Sequence, residues 1–303
     1  MGDIKTNLYV FVKGIKYFFR SYKIAKKGQD PKYELLQTCH RIEKGLLIDN
    51  PKPGWGWEKI YRIQSLIAEM DNCFEKKVGQ STINKYIDEK KKSSNPIDTA
   101  NLTMFKCTQD SEAGVKVLDA EDIKVKQVEV AKSLFTTRHS IRDFERQMVP
   151  HSIIDEAVTL ANHCPSACNR QVAKVYVISG EKRRELYSGD VQGICPPQFL
   201  IVTGNIRAFA IDELYDWLVS SSIFIGYLTL ALHTLGVGSC CLRKALFVES
   251  ESVKSLRNYC HIPDDEQVVL ELAIGFYKEK NKVPVSARKE SEELVIYYDN
   301  NNE

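Results

Sequence analysis

The chain lacks several signals that would settle a function early. It has no Cys-x-x-Cys pair, no Gly-x-x-x-x-Gly-Lys-Ser/Thr phosphate loop and no Gly-x-Gly-x-x-Gly behind a strand-like run. The Gly-x-Gly of "GVGSC" (236–240) follows a helical pattern, so nucleotide binding of the Rossmann or P-loop kind is not expected. No charge of one sign prevails: 42 Lys and Arg face 40 Asp and Glu, which argues against electrostatic capture of nucleic acid. No uninterrupted apolar run reaches the roughly 18 residues of a membrane span. The opening residues show neither the apolar stretch nor the small-residue cleavage site of a signal peptide. The nine cysteines are odd in number and scattered, unlike the even, regular set of a secreted disulfide scaffold. A cytoplasmic protein with free thiols is therefore expected.

What is present is ordinary globular material. With 303 residues, 43% of them apolar and 27% charged, the chain can bury the core of one large domain or two smaller ones. "NLYVFVKGIKYFFRSYKIAKK" (7–27) reads as a basic amphipathic helix. Its apolar face can pack on protein, its own or a partner's, or lie weakly on an anionic membrane surface. Helical periods follow over 33–47 and 58–78, separated by the turn "DNPKPGWGW". The charged stretch "YIDEKKKSSNP" (86–96) reads as a solvated loop or linker. Residues 1–128 thus form a helical N-terminal extension.

From 129 onward the pattern tightens. A helix over 129–136 leads into "TTRHSIRDF", and "SIIDEAVTLANHC" reads as a helix capped by Ser152, with Asp155 and Glu156 in its first turn. Strands are expected at 173–180, 197–205 and 267–277. A nearly all-round apolar helix at 217–235, ended by Gly236, belongs in a core or an oligomer interface. "ESVKSLRNYCHI" reads as a short helix, and the last residues, through "VIYYD", as an edge strand. The sum over 129–303 is α+β, a mainly antiparallel central sheet flanked by helices.

Two stretches carry chemistry. In "TRHSIRDF" (137–144) Arg138, Ser140 and Arg142 alternate, so an extended backbone puts two guanidiniums and a hydroxyl on one side. That side can receive a phosphate or another anion, or it can be a solvated basic turn. In "HCPSACNRQ" (163–171), His163, Cys164 and Cys168 offer three metal ligands. Pro165 stiffens the chain between them and no second pair has matching spacing, so no metal site is expected. The work of that stretch then falls to Pro165, Ser166, Asn169 and Gln171.

"TRHSIRDF", "CPSACNRQ" (164–171), "LALHTLGVGSC" (230–240) and "ARKESEELV" (287–295), in this order, resemble the nitroreductase superfamily of flavin-dependent oxidoreductases. The resemblance covers about 129–303. It implies the nitroreductase-like α+β fold, and a homodimer holding FMN at the subunit interface with the 217–235 helix at its centre. Arg138 and Ser140 match positions that hold the FMN phosphate and ribityl chain, with His139 contributing main chain. Arg142 matches a basic position near N1 and O2 of the ring, where it would stabilise the flavin anion. Arg288 matches the C-terminal phosphate-binding arginine. Pro165, Ser166, Asn169 and Gln171 match the loop that reaches the other subunit's flavin. Leu242, Arg243 and Lys244 match the segment whose backbone approaches N5.

The activity so implied is an FMN-dependent oxidoreductase using NADH or NADPH in ping-pong order on an unidentified small-molecule acceptor. The alternative is a non-catalytic flavin-binding protein whose N-terminal region binds a partner. Val172-Ala173 stands where the family often carries Pro-Trp, and "LVSSS" (218–222) replaces an Asp-Gly type turn, both on the substrate side. "HRIEKGL" (40–46) resembles a motif of long nitroreductase-like bacterial proteins. His40 and Glu43 share a helix face there, as part of a capped surface helix or of an approach to the site.

Overall fold

The computed structural model describes residues 4–100, 102–105, 113–116, 118–186, 194–213, 215–242 and 251–298. Helices build the first third: α1 (Ile4–Ala25), α2 (Pro31–Gly45), α3 (Trp57–Ala68), α4 (Phe74–Lys90), then the short α5 (Pro96–Thr99) and α6 (Ala120–Ile123). Helix α2 starts cleanly because Asp30 caps it, accepting from Lys32 N–H, with Pro31 at the first helical position. Leu35, Ile42, Ile60, Ile63, Tyr86 and Ile87 from α2, α3 and α4 close into a core of their own.

Sequence periodicity misplaces two features here. The run at 58–78 is two helices, separated by a short break at 69–73. The stretch at 86–96 is no solvated linker at its start. Tyr86 and Ile87 are buried, and Lys90, itself buried, pairs with Asp98 at 2.5 Å. Burial works against the Asp98 carboxylate, but Lys90, Gly54 N–H and Ser93 outweigh it and hold its pKa below the ordinary value.

The remainder is α7 (Val128–Thr137), α8 (His151–Ala161), β1 (Ala173–Ser179), α9 (Gly180–Leu186), β2 (Gln198–Asn205), α10 (Asp216–Thr234), β3 (Val237–Leu242), α11 (Glu251–Tyr259) and β4 (Glu266–Phe276). The strands form one antiparallel sheet in the order β1-β2-β4-β3. The fold is thus α+β, with the helical N-terminal region beside the sheet. Strand β2 is buried along its whole length, as a central strand covered on both faces must be. One face carries α8 and α10 through Ala157, Phe224, Leu228 and Leu232. That same core takes in Ile24 and Ala25 of α1. The opposite face packs Ile141, Phe144, Val253 and Leu256. There Arg183 and Glu271 form a buried pair at 2.9 Å.

Helix α10 is long and apolar enough to cross a membrane, yet it packs against α8, β2 and β3 as a core helix does. It stops at Gly236, whose φ of +74° a glycine adopts without strain.

Three further sequence expectations need correction. Ser152 does not cap α8: the helix begins at His151 behind Pro150, which fixes the entry backbone without a side-chain bond. "GSCCL", given no strand by the sequence pattern, lies in strand β3, concealed because its residues are small and short of β-branches. Among the described residues the chain end forms no edge strand. Only a turn of 3-10 helix at Ser291–Glu293 interrupts irregular backbone, and Ile296, Tyr297 and Tyr298 stand in the open.

Candidate active site

The alternating segment 138–142 is extended, as its sequence predicts. It runs beside the edge of β3, where Ser140 forms a parallel bridge with Ser239 and Ile141 N–H donates to Ser239 O at 2.9 Å. Gly238 makes this approach possible, since a Cβ there would lie 3.0 Å from Ile141 Cγ1. Ile141 and Phe144 point into the core, which turns Arg138, Ser140 and Arg142 the other way.

Neither arginine meets an acid among the described residues, in contrast to Arg170 and Arg183, which pair with Glu213 and Glu271. Among the described residues Arg138 has no hydrogen bond or ion pair, and Arg142 reaches only Ser140 O, at 3.4 Å. The nearby Asp143 is taken by Lys278 at 2.6 Å. The surroundings register the field of Arg138. His233, at the end of α10, has its pKa lowered by desolvation first, then by Arg138 and His139. Its Nδ1 lies 2.7 Å from Tyr277 Oη and its Nε2 lies 2.8 Å from Thr137 Oγ1. Cys241, one strand position beyond the buried Cys240, is pushed up to about 11 by desolvation and its neighbour, against the pull of Arg138. It is therefore a poor nucleophile at neutral pH.

The second stretch lies at the opposite end of α10. After α8 the chain turns through Pro165 into a 3-10 turn at Ala167–Asn169, and Ala167 N–H donates to Ser220 Oγ at 3.3 Å. Cys168, Asn169 and Gln171 all have left-handed backbones, with φ of +52°, +52° and +50°. Three such residues in four positions are costly and persist only when surrounding bonds fix them. Those bonds are present. Gln171 N–H donates to Ser166 Oγ (3.1 Å), Asn162 Nδ2 donates to Gln171 Oε1 (3.0 Å), and Asn169 N–H donates to Ser166 O (2.9 Å).

Arg170, which sequence reasoning passed over, anchors the whole turn. It is fully buried, pairs with Glu213 at 2.9 Å and stacks 4.4 Å over the Phe209 ring. The only clue lay in its position between two residues read as functional, with no partner recognisable from sequence. Helix α2 packs against this turn, so the N-terminal region supports the site's wall. His40 and Glu43 do not approach the site as reactive groups. They face each other at 3.3 Å, and Glu43 Oε1 accepts from Gly114 N–H, tying down a distant segment. Outside the turn, α8 and β1 enclose a groove of ≈ 620 Å³ lined by Asn162, His163, Gln171, Lys174 and Phe224.

Within one protomer the two stretches therefore lie apart. Ser220 and His233 mark the two ends of α10, about 20 Å apart along its axis at the rise of an α-helix. Among the described residues Arg288 makes no hydrogen bond or ion pair with either end. Its Nη1 donates to Ser286 O at 2.7 Å within its own exposed segment. Leu242 is buried at the end of β3, while Arg243 and Lys244 lie outside the described residues.

Comparison with known proteins agrees with the segment that carries the arginines. The sequence profile of the Nitroreductase family matches residues 135–193. Over that segment the chain is similar to the nitroreductase family. Among curated proteins none matches. Among solved structures the chain is similar to a nitroreductase with bound FMN from Bacteroides fragilis. That likeness has 16% identity and a TM-score of 0.45, covering 55% of this chain and 96% of the other. It is also similar to an FMN-dependent nitroreductase from Clostridium difficile, with 21% identity and a TM-score of 0.45, covering 55% and 99%. A nitroreductase-like protein from Streptococcus mutans has 16% identity and a TM-score of 0.47, covering 57% and 100%.

Proposed function

We propose that the chain is a cytoplasmic FMN-dependent oxidoreductase working as a homodimer, in which each flavin sits between the arginine edge of one protomer and the 163–171 turn of the other. The observation that carries this reading is the pair of acid-free guanidiniums beside a sheet edge, where the buried Arg170 and Arg183 are each held by a carboxylate. Unpaired guanidiniums beside a hydroxyl fit a phosphate monoester, which accepts bidentate bonds. When bound, FMN supplies the electron chemistry, taking reducing equivalents from NADH or NADPH and passing them to a small-molecule acceptor in ping-pong order.

The chain's own residues bind and orient. Arg138 and Ser140 hold the phosphate end, with His139 supplying main chain, and Arg288 completes the grip. Arg142 places positive charge beside the pyrimidine edge of the ring, where negative charge develops. Leu242, Arg243 and Lys244 bring backbone toward the ring's central nitrogen. Pro165, Ser166, Asn169 and Gln171 form a wall set in advance by its own hydrogen bonds, so it loses little freedom when a planar group docks.

A second protomer follows from the distance between the two ends of α10. An isologous contact running α10 against its copy in the opposite direction brings each end beside the other's partner end. The outer side of α10 suits such a contact, because Val219, Ser222, Ile223, Gly226 and Tyr227 are exposed on it. The exposed apolar residues at 294–298 likewise call for cover. Free thiols at Cys164, Cys168 and Cys260 accord with a reducing compartment.

The test is a visible spectrum of the purified protein followed by anaerobic mixing with NADH or NADPH. A yellow protein whose flavin band bleaches supports the enzyme. A yellow protein that does not bleach supports the non-catalytic alternative, and a colourless protein that refuses FMN removes both.

A further inference from the structure

Helix α1 is the least accounted-for part of the molecule. Among its described side chains the buried ones, Ser21, Ile24 and Ala25, lie at its C-terminal end, and the chain beyond is fastened by Asp30 N–H donating to Arg207 O at 2.8 Å. The rest bears an exposed apolar stripe. Leu8, Phe11, Ile15, Phe18 and Tyr22 recur at alternating spacings of three and four, flanked by Phe19, and they range from 38% (Tyr22) to 64% (Phe11) exposed. A soluble monomer does not normally leave large side chains contiguous in water. Lys16, Arg20 and Lys23 repeat the same spacing about 140° around the helix, Arg20 also meeting Asp264 at 3.8 Å, and residues 4–27 contain no acid at all.

We infer that α1 is a docking surface for an anionic lipid bilayer, lying in the headgroup plane with its aromatic stripe in the acyl boundary. Charge complementarity decides the occupant. Lipid phosphates meet the basic flank favourably, whereas a second copy of α1 sets two acid-free basic helices side by side. The helix spans about 33 Å, long enough for its stripe to lie along a membrane surface while its base holds the sheet body beside it. This inference does not depend on the flavin, and the flavin band reports separately on the site.

The experiment is flotation of the full chain with vesicles of phosphatidylcholine, alone or containing roughly one-third phosphatidylglycerol. The chain should float with the anionic vesicles only, and added salt should release it. Phe11→Ser with Phe19→Ser should cut the floated fraction roughly tenfold, and so should Lys16→Glu with Lys23→Glu; both pairs are exposed, so far-UV circular dichroism should stay unchanged. Three results overturn the inference. The chain fails to float with anionic vesicles, or it floats equally with neutral ones. Alternatively, the Phe variant changes oligomeric state in size-exclusion chromatography while vesicle binding is unaltered, which makes the stripe a protein interface.

Discussion

The two ends of α10 solve opposite problems. At the Ser220 end the loop's polar groups turn to one another: Ser166, Asn162 and Gln171 bond within the turn, and Arg170 is held by Glu213 and Phe209, though its Nε has no partner among the described residues. At the His233 end Arg138 and Arg142 stand without an acid partner among the described residues, and burial first, then Arg138 and His139, lowers the basicity of the imidazole there. One end is finished by folding alone. The other is left with charge to satisfy. The lesson is that an arginine's partners tell more about its role than its exposure or its place in a motif. Arg170 is structural although it lies inside the motif, and Arg138 is available although it is half buried.

The sharpest way to break this contrast is to remove charge from the unfinished end. Arg138→Ala together with Arg288→Ala should weaken FMN binding roughly 100- to 10,000-fold, from about 1.5–3 kcal/mol for each charge-assisted contact. Urea unfolding of the flavin-free protein should move by no more than about 0.5 kcal/mol. The finished end should respond in the reverse sense. Arg170→Ala leaves Glu213 unpaired over a buried turn and should cost about 2 kcal/mol of stability in the same titration.

A smaller effect is expected from Cys168→Gly. Relief of a left-handed backbone at φ +52° should raise thermal stability by about 0.5–1 kcal/mol, while the loosened turn binds FMN less well. The smallest effect is in pH. Folding lowers the His233 pKa, so the unfolded chain takes up a proton that the folded one refuses. Stability contributed by His233 is therefore lost as pH falls below the ordinary imidazole value of 6.5 toward its folded value. Arg138→Ala should raise that folded pKa in an NMR titration and flatten the dependence. An unmoved His233 would mean that the Arg138 field does not reach it.

The sequence was most readable where one period ran uninterrupted. The strands at β1, β2 and β4, the helix α10 and its stop at Gly236 all follow from apolar runs and a turn residue. At 138–142 the sequence left an anion-receiving extended backbone and a solvated basic turn both open, and the bridge of Ser140 to Ser239 shows the segment beside β3. The pattern failed where small residues hide a strand, as in β3, or where a tertiary ion pair buries a charged stretch, as Asp98 does for Lys90. Within the candidate site the residue types were legible but their separation was not. Nothing in "CPSACNRQ" shows that it lies a helix length away from "TRHSIRDF", since that distance is set by which end of α10 each loop meets.

The central claim is that the cofactor site is completed only between two protomers. Native mass spectrometry of the protein with added FMN tests it most directly. The account predicts a dimer carrying two FMN, from which the Arg138→Ala, Arg288→Ala variant loses the flavin while remaining dimeric. A monomer that holds one FMN tightly would contradict it.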